Sequence, residues 1–135
     1  MFAPDTRILI LDDMMTMRKI VGKTLRDAGF KDIQEAADGN IGWEILDKAS
    51  PQIQLVISDW NMPNCSGLEL LKKVRADVRF GAVPFMLLTA EAEATQIKEA
   101  VAQKVSGYMI KPFTPEALKE KILQLHQRLS APKAA

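Results

Sequence analysis

Arg7-Ile8-Leu9-Ile10-Leu11-Asp12-Asp13 is the stretch from which the architecture can be worked out. Four large aliphatic side chains in a row, with no polar residue among them, describe a strand covered on both faces, and a pair of aspartates ends it. Beyond the aspartates, Met17, Ile20, Val21, Thr24, Leu25 and Ala28 recur at helical spacing, and Gly29 supplies a stop. The same alternation continues along the chain. Strands are expected at 33–36, at 55–57 running into Ser58-Asp59, at 83–88 with Pro84 near its start, and at 107–110. The second helix has Asp38 as its N-cap, Ile41, Ile45, Leu46 and Ala49 on its apolar face, and Pro51 beyond its end. Ser66 and Glu69 have the spacing of a capping box before Leu68, Leu71 and Val74. Ile97, Val101 and Val105 mark a fourth helix. Thr114-Pro115-Glu116 reads as cap, first-turn proline and first-turn acid before Leu118, Ile122, Leu125 and Leu129. Five strand–helix units in succession predict an α/β fold, a doubly wound parallel sheet with helices on both faces.

Composition agrees with that architecture and excludes several others. The chain has 135 residues, 47% hydrophobic and 26% charged. That length suits one domain, and that balance is not the composition of a disordered chain. Lys+Arg number 18 against 17 Asp+Glu, a net charge of +1, which is weak for a nucleic-acid binder. Cys65 is the one cysteine, so neither an internal disulfide nor a cysteine-rich metal site can form. No apolar run approaches the ~20 residues of a membrane span. Met1-Phe2-Ala3-Pro4-Asp5 lacks the basic and apolar regions of a signal peptide. The expectation is one cytoplasmic, monomeric domain over 1–135, with short tails at 1–5 and 130–135.

Ligands of open α/β sheets lie at the carboxyl ends of the strands, so the residues ending each strand carry the chemistry. These are Asp12 and Asp13, Asp59, Thr89 and Lys111. If the first, third, fourth and fifth strands are neighbours, three acids, a hydroxyl and an ammonium converge on one rim. Two like charges ~4 Å apart repel by roughly 4 kcal/mol at an effective dielectric of ~20, so something must compensate. A hard divalent cation is one answer and Lys111 is another; an all-oxygen donor set suits Mg²⁺. His126 stands alone and offers no zinc set. Taken singly, Asp12 or Asp13 reads equally well as a cap for the next helix. Asp59 fits that reading less well, because Ser66 is the better cap for the helix that follows it.

Asp12-Asp13, Asp59-Trp60-Asn61-Met62-Pro63, Thr89-Ala90 and Lys111-Pro112-Phe113 together resemble the signature of response-regulator receiver domains. The resemblance runs from about Arg7 to Leu129. Within the family it is similar to chemotaxis regulators, through Asp59-Trp60-Asn61-Met62-Pro63-Asn64, Gly107-Tyr108 and Lys111-Pro112-Phe113-Thr114. It implies a flavodoxin-like (βα)5 sheet in the order 2-1-3-4-5. It implies that Asp59 takes a phosphoryl group from a sensor histidine kinase. Asp13 and Asp59 would hold Mg²⁺ with the backbone carbonyl of Asn61, and Asp12 would assist directly or through water. Lys111 would pair with Asp59 and then with a phosphoryl oxygen, and Thr89 would donate its hydroxyl to another. The Lys111-Pro112 bond is cis in the family. Asn61 and Glu91 occupy positions that tune acyl-phosphate lifetime. The output implied is a protein-binding switch through Thr89, Tyr108, Ile110, Phe113 and Lys121, with the flagellar motor switch as partner and a phosphatase as a further one.

Met14, Met15, Cys65 and Ser66 depart from the usual family pattern. Cys65 is expected to pack, and Ser66 to cap. Trp60 is expected near the metal, and Trp43 off the apolar face of its helix. Rival readings are a receiver belonging to a longer DNA-binding regulator, a stand-alone phosphate sink or relay, and an Mg²⁺-dependent aspartyl phosphatase. The phosphatase reading needs a second Asp two residues after the nucleophile, where this chain has Asn61. A flavodoxin-like cofactor binder would need a phosphate loop after the first strand, and none follows it.

Overall fold

The computed structural model describes residues 6–49, 52–89, 94–111 and 113–130. In chain order the elements are β1 (Arg7–Leu11), α1 (Met15–Asp27), β2 (Asp32–Ala36), α2 (Gly39–Lys48), β3 (Leu55–Asp59), α3 (Gly67–Ala76), β4 (Phe85–Thr89), α4 (Ala94–Ala102), β5 (Gly107–Ile110) and α5 (Pro115–Ser130). The strands are parallel and ordered β2-β1-β3-β4-β5, as the family resemblance implied.

The two-residue period of each strand divides the core into two layers. Leu9, Leu11, Val56, Phe85 and Leu87 join Leu46, Leu71, Val74 and Ala100 on the side of α2, α3 and α4. Ile8, Ile10, Leu55, Ile57, Met86 and Leu88 join Val21, Leu25, Leu118 and Ile122 on the side of α1 and α5. β3 and β4 are buried at every position. Each fully buried aliphatic side chain contributes about 1.5–3 kcal/mol, so these two strands tolerate polar substitution least. All three predicted N-caps form, the third through Thr114 Oγ1, which accepts the Ala117 N–H at 3.1 Å. Asp38 Oδ1 accepts the Ile41 N–H at 2.9 Å, and Ser66 and Glu69 bond reciprocally at 3.1 Å.

Several expectations are corrected. β4 begins at Phe85 rather than 83, because Pro84 has no N–H to donate; its carbonyl accepts from Val56 N at 2.9 Å. Ile20, Ile41 and Val101 are exposed, not core residues. In α2 the contact with β1 is made by Gly42, where a Cβ would overlap the Leu11 side chain. That close approach centres the buried face on Gly39, Gly42 and Leu46 and turns Ile41 outward. Trp43 is not off the packing face: its ring meets Phe80 edge-on at 5.5 Å, with Lys73 Nζ 4.9 Å from its centroid.

At the amino ends of the strands, Arg75 does work that no sequence pattern announced. Its guanidinium donates to the carbonyls of Gly81 (3.2 Å), Val83 (2.6 Å) and Lys104 (3.0 Å) and to Ser106 Oγ (3.4 Å). One side chain thereby joins the end of α3 to the approaches of β4 and β5.

Candidate functional site

Parallel strands all point their carboxyl ends the same way, which is why residues distant in sequence meet on one rim. Asp12 follows β1, Asp59 ends β3, Thr89 ends β4 and Lys111 follows β5. Lys111 Nζ lies 3.0 Å from Asp59 Oδ1 and 3.3 Å from Asp12 Oδ2. Its backbone N–H donates to Thr89 O at 2.7 Å, which ties the fifth strand end to the fourth. Thr89 is 2% exposed. Among the described residues, Asp12, Asp13 and Asp59 form an acidic cluster with ligand oxygens all within 4.8 Å of one another.

The three carboxylates are held differently. Asp12 is 1% exposed, and each of its polar groups has a protein partner. Its N–H donates to Ala36 O, its carbonyl accepts from Arg18 Nη1 at 2.6 Å, Oδ1 accepts the Met14 N–H at 2.8 Å, and Oδ2 faces Lys111. The capping reading of Asp12 therefore holds in part, since Met14 is the N-cap residue of α1 and its own side chain makes no cap bond. Arg18 also reaches Glu35 at 3.4 Å, so it straps the start of α1 to β2. Asp13 is exposed. Asp59 is 7% exposed.

Burial raises the Asp59 carboxyl above its ordinary value, the hydrogen bond from Lys111 opposes that rise, and the Asp12 charge adds to it. On Lys111, burial works downward, but the bond to Asp59 and the charges of Asp59 and Asp12 leave it above its ordinary value. A carboxyl raised in the folded chain binds its proton more tightly there than in the unfolded chain. Stability then falls as pH rises from the ordinary value through the raised one, and above that window the ionised Asp59 is a standing destabilisation. Asp59→Asn removes it while leaving an acceptor for Lys111. At pH 7 its Tm is expected to exceed the wild type's, read by thermal unfolding. A lowered Tm would contradict this electrostatic reading.

Asn61 is exposed at the start of the loop after β3. Glu91 and the Lys111-Pro112 peptide bond fall outside the described residues, since 90–93 and 112 are not among them. Met14 and Met15 are 60% and 61% exposed beside the acidic rim. Cys65 is 5% exposed and packs in the α2–α4 layer, as its reading as a packing residue expected. Trp60 is 8% exposed in the same layer. Tyr108 packs half-buried against that layer, with Lys121 Nζ 5.8 Å from its ring centroid. Met109 and Phe113 pack against the α1–α5 layer, so Phe113 and Tyr108 lie on opposite sides of the sheet. Ile110 is 42% exposed on the edge strand. Sequence reasoning missed Arg18 and the contacts of Asn64, whose Nδ2 donates to Asp38 Oδ2 at 3.1 Å. The one local signal was Asn64 itself, in a loop where the chain turns back.

Residues 8–123 match the family model of the response regulator receiver domain. The chain is 46% identical over 123 residues to chemotaxis protein CheY-3 of Vibrio cholerae, covering 91% of this chain and 93% of that one. It is 44% identical over 124 residues to chemotaxis protein CheY of Pseudomonas aeruginosa, covering 92% and 98%. The solved structure of chemotaxis response regulator CheY4 of Vibrio cholerae superposes with a TM-score of 0.83 at 33% identity, over 90% of this chain and 98% of that one. Among the described residues, no helix is long and apolar enough to cross a membrane.

Proposed function

The chain belongs to the response regulator receiver family, and we propose that Asp59 accepts a phosphoryl group from a sensor histidine kinase in an Mg²⁺-dependent step that switches the binding of a partner protein. The observation carrying this reading is the meeting of three carboxylates within 4.8 Å, with Lys111 Nζ 3.0 Å from Asp59 Oδ1. One ammonium does not balance three carboxylates, and hard oxygen donors fit Mg²⁺. Asp12, Asp13, Asp59 and the Asn61 carbonyl would hold it. Bound Mg²⁺ supplies charge neutralisation for phosphoryl oxygens.

The protein's own part is positioning and charge. Asp59 presents its carboxylate at the end of β3, almost fully buried and with the Lys111 ammonium 3.0 Å from Oδ1. Its oxygen bonds to phosphorus as the donor's histidine nitrogen leaves with the bonding pair. Lys111 exchanges part of its contact with Asp59 for a phosphoryl oxygen. Thr89, at the end of the neighbouring strand, donates its hydroxyl to another. Incubation with acetyl phosphate and Mg²⁺ is expected to give one acid-labile phosphate per chain, and chelation of Mg²⁺ to prevent it. No labelling with Mg²⁺ present overturns the reading.

Mg²⁺ itself has a nearby reporter. Trp60 adjoins Asp59, so Mg²⁺ is expected to change tryptophan emission in the wild type and in Trp43→Phe. A change that persists in Trp60→Phe places the cation elsewhere.

The output follows from what borders Thr89. It pairs with Ile110 in the sheet register, two residues from Tyr108. Phosphorylation favours an arrangement the free chain already samples, and tenfold tighter partner binding needs only ~1.4 kcal/mol of differential stabilisation. The chemotaxis names of the relatives favour the flagellar motor switch as partner, with Tyr108 and Ile110 on the β5 edge and Lys121 of α5 beside them as its contact. Thr89→Ala and Tyr108→Ala are expected to accept phosphate yet lose most of the phosphorylation-dependent gain in affinity, measured by titrating the switch protein against beryllofluoride-treated chain. Full gain in both variants sends the signal out by another face.

A further inference from the structure

The loop between β3 and α3 carries Asn61, and it is anchored to an element that contributes nothing to the acidic rim. At its root, the Gly67 N–H donates to Trp60 O at 2.9 Å. At its far side, Asn64 has φ of 67°, in the left-handed region that asparagine tolerates better than most residues. Its Nδ2 donates to Asp38 Oδ2 at 3.1 Å. The carbonyl of Cys65 accepts the Gly39 N–H at 3.2 Å, and a Cβ on Gly39 would stand 2.6 Å from Cys65 Sγ. Asp38 is a fixed post for this contact. It is 8% exposed, and its Oδ1 already caps α2, so Oδ2 is the oxygen left for Asn64. A left-handed non-glycine residue persists where its surroundings compensate the strain, and the bond to Asp38 is that compensation.

We propose that Asn64 is a positioning residue for the Mg²⁺ and phosphoacceptor site: by bonding to Asp38 it fastens the β3–α3 loop to the amino end of α2 and so sets where the Asn61 carbonyl stands. This rests on the reading of the acidic rim as an Mg²⁺ site. Asn64 touches no carboxylate of the rim. Its influence passes through the backbone of residues 61–64, three peptide units from the carbonyl it governs.

The test is an Mg²⁺ titration, followed by Trp60 emission in the Trp43→Phe background and by calorimetry. Asn64→Asp sets a carboxylate against Asp38 while keeping a residue that accepts the left-handed backbone. It also adds a negative charge near the rim, and charge alone would tighten cation binding. A positioning role predicts the opposite sign. The Mg²⁺ Kd is expected to rise about threefold to tenfold, below the 10–100-fold typical of partners bonded to the ligands themselves. Combining Asp38→Asn with Asn64→Asp restores a donor–acceptor pair, the original net charge and an equally good N-cap. That double variant is expected to recover the wild-type Kd within about twofold, roughly 0.4 kcal/mol. Asn64→Gly accommodates the backbone and removes only the side chain; it should weaken Mg²⁺ as well, and it stands in if Asn64→Asp does not fold. A Kd unchanged or lowered in the Asn64 variants, with the wild type binding Mg²⁺, overturns the positioning role and leaves the metal site standing. So does a double variant as weak as Asn64→Asp. A wild type that shows no Mg²⁺ binding overturns both.

Discussion

Asp59→Asn is expected to carry no acid-labile, hydroxylamine-sensitive phosphate after incubation with acetyl phosphate and Mg²⁺. The loss should be at least about 100-fold against the wild type, or ~2.7 kcal/mol in the barrier. The geometry explains why neither neighbouring carboxylate substitutes. Asp12 has one oxygen engaged by the Met14 N–H and the other by Lys111, and it is 1% exposed. Asp13 is exposed, whereas the Lys111 ammonium pairs with Asp59 and Asp12. Asp59 combines burial with an ammonium 3.0 Å from its Oδ1, and among the described residues neither of its oxygens caps a helix. Asparagine keeps the shape and an acceptor for Lys111 but has no nucleophilic oxygen. Asp13→Asn makes the companion measurement: it should still be labelled, at a higher Mg²⁺ concentration. Stoichiometric labelling of Asp59→Asn would remove Asp59 from the chemistry altogether.

Gly67→Ala is expected to be the most destabilising of the single-methyl substitutions among the core glycines. A Cβ at Gly67 would overlap the backbone carbonyl of Asp59, an obstacle that cannot rotate aside. At Gly42 the obstacle is the Leu11 side chain, which has other rotamers available. Overpacking a dense core commonly costs 1–3 kcal/mol, and a clash with backbone belongs at or above the top of that range. We expect a loss of about 3 kcal/mol or more for Gly67→Ala, with Tm lower by roughly 10 °C. Gly42→Ala should lose about half as much. Because the obstacle is the carbonyl of Asp59, the proposed phosphoacceptor, the surviving folded fraction should also bind Mg²⁺ more weakly. Urea unfolding followed by tryptophan emission checks the stability loss, and an Mg²⁺ titration checks the affinity. Wild-type stability in Gly67→Ala would show that the turn into α3 has slack that the close approach does not suggest.

The rim was legible in the sequence for a specific reason. Strands that alternate with helices must run parallel, so each Asp, Thr or Lys just past an apolar run arrives at the same end of the sheet. That argument places Asp12, Asp59, Thr89 and Lys111 at one end; the strand order that makes them neighbours comes from the family resemblance. What stayed hidden depends on pairs far apart in the chain with no period to reveal them. Asn64 reaches across 26 residues to Asp38, and Trp43 meets Phe80 across 37. Hydropathy puts Ile20, Ile41 and Val101 on the buried faces and is wrong there, because an apolar stripe does not say how wide its covering neighbour is. At α2 the absence of a side chain at Gly42 decided the rotation of the helix, and an absence leaves no mark on a hydrophobic pattern.

Arg75 gives the molecule two poles that answer differently to solvent. Its guanidinium is satisfied by three carbonyls and a hydroxyl, none of which titrates. The surface pairs of Arg79 with Asp47 and Asp77, and of Arg7 with Asp32, rest on carboxylates that acid neutralises and salt screens. Acidification should therefore loosen the periphery while the amino ends of β4 and β5 keep their amide protection. The Ser106 N–H, donating to Phe85 O at 2.8 Å within that knot, should be among the last amides to exchange with deuterium. On the proposed reading, the phosphoryl group arrives at the opposite end of the sheet from this knot, so deuterium exchange at Ser106 is expected to stay unchanged on phosphorylation while the rim and the edge strand respond.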